Sequence, residues 1–232
     1  MVQPDQSQQK RIAAEHAASQ VNDGMIVGLG TGSTAYFLVE ALGKRVQQGL
    51  RITGIPTSEK TALQAQSLNI PLSDLATYPT IDMTIDGADE VARGSLDLIK
   101  GLGGALLREK IVASATKTFV IIVDQSKIVD RLGSRGPVPI EVIPFGWQAT
   151  AQRLRNLGAN IDLRKNPGGE PFQTDGRHYI LDCSFGPIAE PRALDHEINS
   201  VVGVVEHGLF LAMTAQVVVA TTTGVEILTP IE

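Results

Sequence analysis

Apolar positions along the chain follow two spacings that alternate through its first half. Residues 8–21 carry Ile12, Ala13, His16, Ala17 and Val21 near a helical repeat, and Asn22-Asp23-Gly24 stops the predicted helix. MIVGLG (25–30) is a short unbroken apolar run, as expected of a buried strand. Ser33 to about Gln48 returns to helical spacing through Tyr36, Phe37, Val39, Leu42 and Val46. RITGIP (51–56) reads as a second strand and SEKTALQAQSL (58–68) as a second helix capped by Ser58. IDMTID (81–86) and FVIIVD (119–124) are further strands. Between them KGLGGALLREKIVASAT (100–116) opens as a glycine loop and continues as a helix. Alternating strands and helices predict an α/β fold, a Rossmann-like parallel sheet with helices on both faces.

The rhythm changes near Gly133. VPIEVIP (138–144), NIDLR (160–164), HYILDCS (178–184) and GVVEHGLF (203–210) read as strands; WQATAQRLRNL (147–157) and ALDHEINS (193–200) read as helices. The order βαβ-βαβ in so short a stretch predicts a small ferredoxin-like α+β domain. NPGGEPFQTDG is a turn-rich insert within it, and AQVVVATTTGVEIL (215–228) returns as strands to the first sheet. The expected division is residues 1–132 and 206–232 as the catalytic α/β domain, with 133–205 as the small domain and the expected oligomer contact.

Composition narrows the function classes. Of 232 residues, 43% are hydrophobic but only ten are aromatic, so the core is aliphatic, and 23 glycines fit tight strand-to-helix turns. A net charge of −5 argues against a nucleic-acid partner and requires locally positive groups at any anion site. The single cysteine, Cys183, lies in an apolar run and reads as a buried thiol. The amino-terminal stretch has no apolar core of signal-peptide type, and no run approaches a membrane span. No membrane partner and a cytoplasmic location are the expectation.

Four polar segments carry the candidate chemistry, and the pattern places all four at carboxyl ends of one parallel sheet, where α/β sheets bind ligands. GLGTGST (28–34) follows a strand and opens a helix, so its N–H groups and the hydroxyls of Thr31, Ser33 and Thr34 can cradle a phosphate. Ser33 occupies the third glycine position of the dinucleotide fingerprint, and the P-loop lysine is missing. DGADE (86–90) clusters three carboxylates at a strand exit, and Asp86 and Asp89 can converge if Gly87 turns the chain. KGLGGALLREK (100–110) sets Lys100 beside a glycine loop and Glu109 near the end of the second turn of the next helix, where partial burial raises a carboxyl towards the range of a general base. DQSK (124–127) brings Lys127 over the same face. Each segment alone also reads blandly: a capped turn, a polar turn, a solvated Arg108-Glu109-Lys110 triplet, a surface lysine. The histidines, at 16, 178, 196 and 207, are scattered and read as structural or surface residues.

In this order and spacing, GLGTGSTA, IDGADEV, IKGLGGALLREKI and VDQSK resemble the type A ribose-5-phosphate isomerases, as do VPIEVIP, LDCSFGPI and GVVEHGLF further on. The lysine loop of that family is often KGGG; here Leu102 replaces one glycine, and TTTGVEILTPIE is less familiar in it. The resemblance implies interconversion of ribose 5-phosphate and ribulose 5-phosphate through an enediolate, with no metal or cofactor, in the pentose phosphate pathway or carbon fixation. It implies Glu109 as the base between C2 and C1, Asp86 for ring opening and proton traffic between the oxygens, and Asp89 and Lys100 for holding hydroxyls and the developing oxyanion. Thr31, Gly32, Ser33, Thr34, Gly87, Ala88, Gly101, Leu102, Gly103 and Lys127 line the implied substrate site, with Lys10 near the phosphate. It further implies a homodimer or homotetramer. Two rival readings stand beside this one. A sugar-phosphate effector domain of a transcription regulator needs a DNA-binding part, and only 24 residues precede the first strand. A coenzyme A transferase needs a glutamate nucleophile, for which Glu226 is the one late candidate.

Overall fold

The computed structural model describes residues 5–230. Helix α1 (Gln6–Ser19) precedes β1 (Ile26–Leu29), and α2 (Ser33–Gln47), β2 (Thr53–Pro56), α3 (Glu59–Ser67) and β3 (Ile81–Asp86) follow. Two short strands, β4 (Glu90–Ala92) and β5 (Leu98–Ile99), lead into α4 (Leu106–Ser114), β6 (Thr116–Asp124) and β7 (Ile128–Val129). Next come β8 (Val138–Val142), α5 (Trp147–Asn156), β9 (Asn160–Leu163), β10 (Tyr179–Ser184), α6 (Pro191–Asn199) and β11 (Val204–His207). β12 (Leu209–Phe210), β13 (Gln216–Ala220) and β14 (Val225–Leu228) complete the order.

The main sheet has the strand order β14-β13-β6-β3-β1-β2. Its pairings are parallel except for β14, which folds back antiparallel on β13. The unbroken apolar runs of β6 and β13 reflect burial on both faces. Val120 and Ile122 join Val218 and Ala220 against α1 and α2. Phe119, Ile121 and Val123, one residue out of phase, join Val217 and Val219 against Ala113 of α4 and Phe210. Helices therefore cover both faces, as the alternation predicts. Ser58 caps α3 by accepting the Thr61 N–H. Among the described residues, no helix is long and apolar enough to cross a membrane.

The second sheet has the order β11-β8-β10-β9 with antiparallel pairings throughout, the arrangement expected of a β-α-β-β-α-β unit. β11 carries it to His207, two residues past the expected boundary at 205. Cys183 is buried in its core beside Leu181 and Ile140.

A third sheet, β12-β5-β4-β7, was not expected from the sequence. Its strands are two or three residues long, too short for any periodic signal. The run GVVEHGLF is accordingly two strands, β11 and β12, in two different sheets. Gly208 makes the break. Its N–H donates to Pro139 O of the second sheet (2.7 Å), and its carbonyl accepts the Lys100 N–H (2.9 Å). A Cβ on Gly208 would stand 2.1 Å from Lys100 O and 2.9 Å from Pro139 Cδ. Gly208→Ala is therefore expected to lower stability by about 1–3 kcal/mol in urea unfolding, as overpacking does. Gly136→Ala, where a Cβ meets nothing within 4 Å, should stay within about 0.5 kcal/mol; equal effects would show that the close approach at Gly208 is tolerated.

Candidate active site

The segments after β1, β3 and β6 lie at carboxyl ends of the main sheet, as the pattern predicts. The lysine loop does not: it follows β5, in the third sheet, and reaches the same place from the side.

Asp86, the last residue of β3, is fully buried. Its Oδ1 accepts the N–H groups of Thr31 (3.0 Å) and Gly87 (2.7 Å), tying the tip of β3 to the loop after β1. Gly30 permits this approach, since a Cβ there would lie 2.1 Å from Asp86 Oδ1. Asp86 Oδ2 lies 3.0 Å from Lys100 Nζ. The Lys100 side chain is 2% exposed; its ammonium also donates to Gly87 O and lies 3.4 Å from Glu109 Oε2. The Phe210 ring sits 5.5 Å from the same ammonium, a favourable seat for a buried cation.

Glu109 belongs to the first turn of α4, not the second as expected, because the helix begins only at Leu106. Successive helical residues point about 100° apart, so the Arg108-Glu109-Lys110 triplet diverges. Arg108 pairs with Glu59 (2.8 Å) and Asp175 (3.4 Å). Lys110 donates to Glu206 Oε1 (2.7 Å) and His207 O (2.6 Å). Glu109 turns inward to Lys100. The triplet is thus not uniformly solvated: Arg108 stays partly exposed, Lys110 is largely covered, and Glu109 is buried. Burial pushes the Glu109 carboxyl up to about 8, against the attraction of Lys100 and aided by repulsion from Asp86 and Asp89. Burial also pushes Asp86 up, against the pull of Lys100 and its N–H donors. Burial alone would lower Lys100, but Asp86 and Glu109 outweigh it and hold the ammonium above its ordinary value.

These groups floor a cavity of about 250 Å³. Its walls are residues 31–34, 87–89 and 100–103, with Glu109 and Lys127. That covers every substrate-site residue expected from the sequence except Asp86, which lies beneath the surface. Asp89 accepts the Leu102 N–H at Oδ2 (2.9 Å), so the DGADE turn and the lysine loop brace one another. Thr31 differs from expectation in one respect. Its hydroxyl is engaged with Thr57, Ser58 and Thr61 (2.7–3.1 Å), and its N–H with Asp86, so it offers shape more than a free donor. Ser33 is exposed and accepts from Lys10 Nζ (3.1 Å), which brings Lys10 to the cradle. A wider cavity of about 490 Å³ adjoins through residues 31–33 and 103 and runs past Lys10, Tyr36 and Lys60.

Several residues outside the expected set matter here. Glu90, the last acid of DGADE, is buried and accepts the N–H groups of Gly133 (2.7 Å), Arg135 (2.7 Å) and Gly136 (2.9 Å). It is a structural anchor and not part of an acid cluster. Phe210 and Lys110 gave no sequence signal, because their importance lies in contacts made across 96 to 110 positions. His207 is buried, and burial with the nearby Lys110 charge pushes it down to about 3, so it is neutral at physiological pH. Burial pushes the Cys183 thiol far up, which leaves it unreactive. Glu226 is exposed on the edge strand β14 and lies 3.6 Å from Arg93, away from the cavity. Among the described residues, no group of three or more His, Cys, Asp or Glu side chains is arranged to hold a metal ion.

The sequence profile of the family described as ribose 5-phosphate isomerase A (phosphoriboisomerase A) matches residues 53–224. The chain belongs to this family. A ribose-5-phosphate isomerase A of Gloeobacter violaceus is 59% identical over 221 residues, 95% of this chain and 96% of that protein. One from Gluconobacter oxydans is 57% identical, covering 96% of each chain. Among solved structures, a D-ribose-5-phosphate isomerase in complex with phospho-erythronic acid superposes with a TM-score of 0.94 at 38% identity. It covers 97% of this chain and 100% of its own. The ribose 5-phosphate isomerase of Plasmodium falciparum gives a TM-score of 0.93 at 38% identity with the same coverage.

The raised Glu109 carboxyl has a thermodynamic consequence in this isomerase-family chain. Between about pH 4.3, where an unfolded glutamate ionises, and about pH 8, the folded state keeps a proton that the unfolded state releases. Stability therefore falls as pH rises through that window. Glu109→Gln removes the titration, so its stability relative to the parent should rise by more than about 1 kcal/mol between pH 4 and pH 9. Parallel denaturation midpoints for the two proteins across that range would refute the assignment.

Proposed function

We propose that this chain interconverts ribose 5-phosphate and ribulose 5-phosphate by moving one proton between C2 and C1 through an enediolate. The observation that carries this reading is the buried Lys100 ammonium held between Asp86 and Glu109 at the floor of the cavity of about 250 Å³. An enediolate needs a base whose proton affinity is near the working pH and a fixed positive charge beside the oxygen that becomes anionic. Glu109 meets the first requirement and Lys100 the second. Asp86 holds Lys100 in place and passes protons between the substrate oxygens, and Asp89 holds a hydroxyl. Ser33, Thr34 and Lys127 take the phosphate with the α2 N-terminus, and Lys10 stands behind Ser33. That a related isomerase binds phospho-erythronic acid, a phosphorylated sugar acid, supports a site shaped for sugar phosphates.

The same reading extends to organisation. Residues up to 132 with the carboxyl-terminal strands form the catalytic part, and the small unit from 133, carried to His207 by β11, offers the contact between copies in a dimer or tetramer. Ile143, Phe145 and Val202, apolar residues exposed on that unit by 40%, 94% and 77%, support it. A cytoplasmic location fits the buried, unpaired Cys183.

Purified protein mixed with ribose 5-phosphate and EDTA should form the ketose; no product, or product only after a metal is added, would refute the reading. Glu109→Gln should lower kcat by about 10²-fold or more, with exchange of the C2 proton into deuterated solvent falling in parallel. Normal turnover in this variant, with exchange abolished by Asp86→Asn, would make Asp86 the base. Ser33→Ala or Thr34→Ala should raise KM more than it lowers kcat, because phosphate contacts change little between ground and transition state; a loss confined to kcat would move these residues into the chemistry.

A further inference from the structure

The lysine loop, residues 100–105, has an irregular backbone. Gly101 and Gly104 take φ of +109° and +83°, and a single turn bond, Gly104 N–H to Gly101 O (3.0 Å), closes it. Such a loop needs something external to fix which way its peptides face. Arg164, just past β9 on the small sheet, is in position to do so. Its Nε donates to Asp182 Oδ2 (2.9 Å) and its Nη2 to Asp182 Oδ1, a bidentate pair with β10. The remaining nitrogen, Nη1, donates to Gly101 O (2.8 Å) and Leu102 O (3.2 Å). Phe172, whose ring centroid lies 6.0 Å from the guanidinium, holds the far end of the loop. Its Cζ would lie 2.5 Å from a Cβ on Gly104.

A trans peptide points its C=O and N–H in opposite directions. With Gly101 O drawn to Arg164, the Leu102 N–H faces the other way and meets Asp89 Oδ2 at 2.9 Å. With Leu102 O drawn to the same nitrogen, the Gly103 N–H likewise faces away from Arg164, on the side where Gly103 lines the cavity. Arg164 itself lies outside the cavity. We propose that Arg164, oriented by Asp182, is a positioning residue: it holds two successive peptides of the lysine loop so that their N–H groups face Asp89 and the substrate. The proposal rests on the isomerase reading above. A lysine cannot replace it, because the role needs a planar fork that serves a carboxylate on one edge and two carbonyls on another.

Lys100 does not depend on this clamp, since its N–H is held by Gly208 and its ammonium by Asp86. The effect should therefore fall on the aim of the loop N–H groups, which matter most as a substrate oxygen becomes anionic. In full-length protein, Arg164→Lys and Arg164→Ala should each lower kcat about tenfold or more while KM stays within about threefold, the pattern of misplaced groups in a folded enzyme. Asp182→Asn should show a smaller loss of the same kind. Methylguanidinium should restore turnover to Arg164→Ala, and methylammonium should not. If Arg164→Ala does not fold, Arg164→Lys, which keeps the charge and the stem, decides the matter. A kcat for Arg164→Lys within about twofold of the parent, a loss confined to KM, or equal rescue by both cations would overturn the proposal. A parent protein unable to isomerise the sugar would instead overturn the isomerase reading itself.

Discussion

Much of this structure is arranged around one ammonium group that is almost wholly withdrawn from water. Lys100 is 2% exposed, with Asp86 at 3.0 Å and Glu109 at 3.4 Å, both equally buried. Removing an ion from water costs several kcal/mol, and a buried ion pair recovers that only with good geometry and satisfied hydrogen bonds. Here Asp86 has two backbone donors besides Lys100, and Lys100 has the Gly87 carbonyl and the Phe210 ring. Two carboxylates facing one ammonium leave one negative charge in excess, so burial raises both, and Glu109, the carboxyl with fewer donors, is pushed up to about 8. A group that can shed its charge by taking a proton near neutral pH is the least costly member to leave under-satisfied. That same property is what a general base needs.

Three sheets converge to build this arrangement. The main sheet supplies Asp86 and the loop that opens α2. The third sheet supplies Lys100 from the end of β5 and Phe210 from β12. Between them, α4 supplies Glu109, its direction fixed because Arg108 and Lys110 are each drawn to other partners. Glu90 joins the DGADE turn to the 133–136 loop through three N–H groups. Gly208 stitches the second sheet to the backbone of Lys100. A displacement in any of these elements reaches the trio through a hydrogen bond or a close contact.

Residues that act from strand ends were legible in the sequence, because position along a strand fixes where a side chain emerges. The cradle after β1, the acids after β3 and Lys127 after β6 all came from that rule. The second sheet was legible for a related reason, since six elements of ordinary length repeat in a recognisable order. The third sheet was not, as a two-residue strand carries no period. The pattern therefore predicts the lysine loop on the main sheet, whereas it follows β5 in the third. Glu109 stands a turn earlier in its helix than the pattern predicts, because the glycine loop runs on to Ala105 before α4 begins. Phe172, within what reads as a turn-rich insert, and Arg164 just before it act through contacts more than 60 positions away. Only the fold brings them to the loop they touch.

The chain is acidic overall, yet its cavity must accept an anion. Position resolves the conflict. Two acids of the site lie low, Asp86 fully buried and Glu109 nearly so, while the half-buried Asp89 has one oxygen occupied by the Leu102 N–H. The positive and donor groups lie at the rim, where α2 begins at Ser33 and Lys10 and Lys127 reach in. A phosphate at the rim gains from the helix terminus and the lysines. It is thereby held away from the buried carboxylates that would repel it. A five-carbon chain hung from that phosphate would reach inward to Lys100 and the two carboxyls that burial has raised, Asp86 and Glu109. On this reading, the separation of rim from floor lets one small cavity both hold a dianion and keep a base.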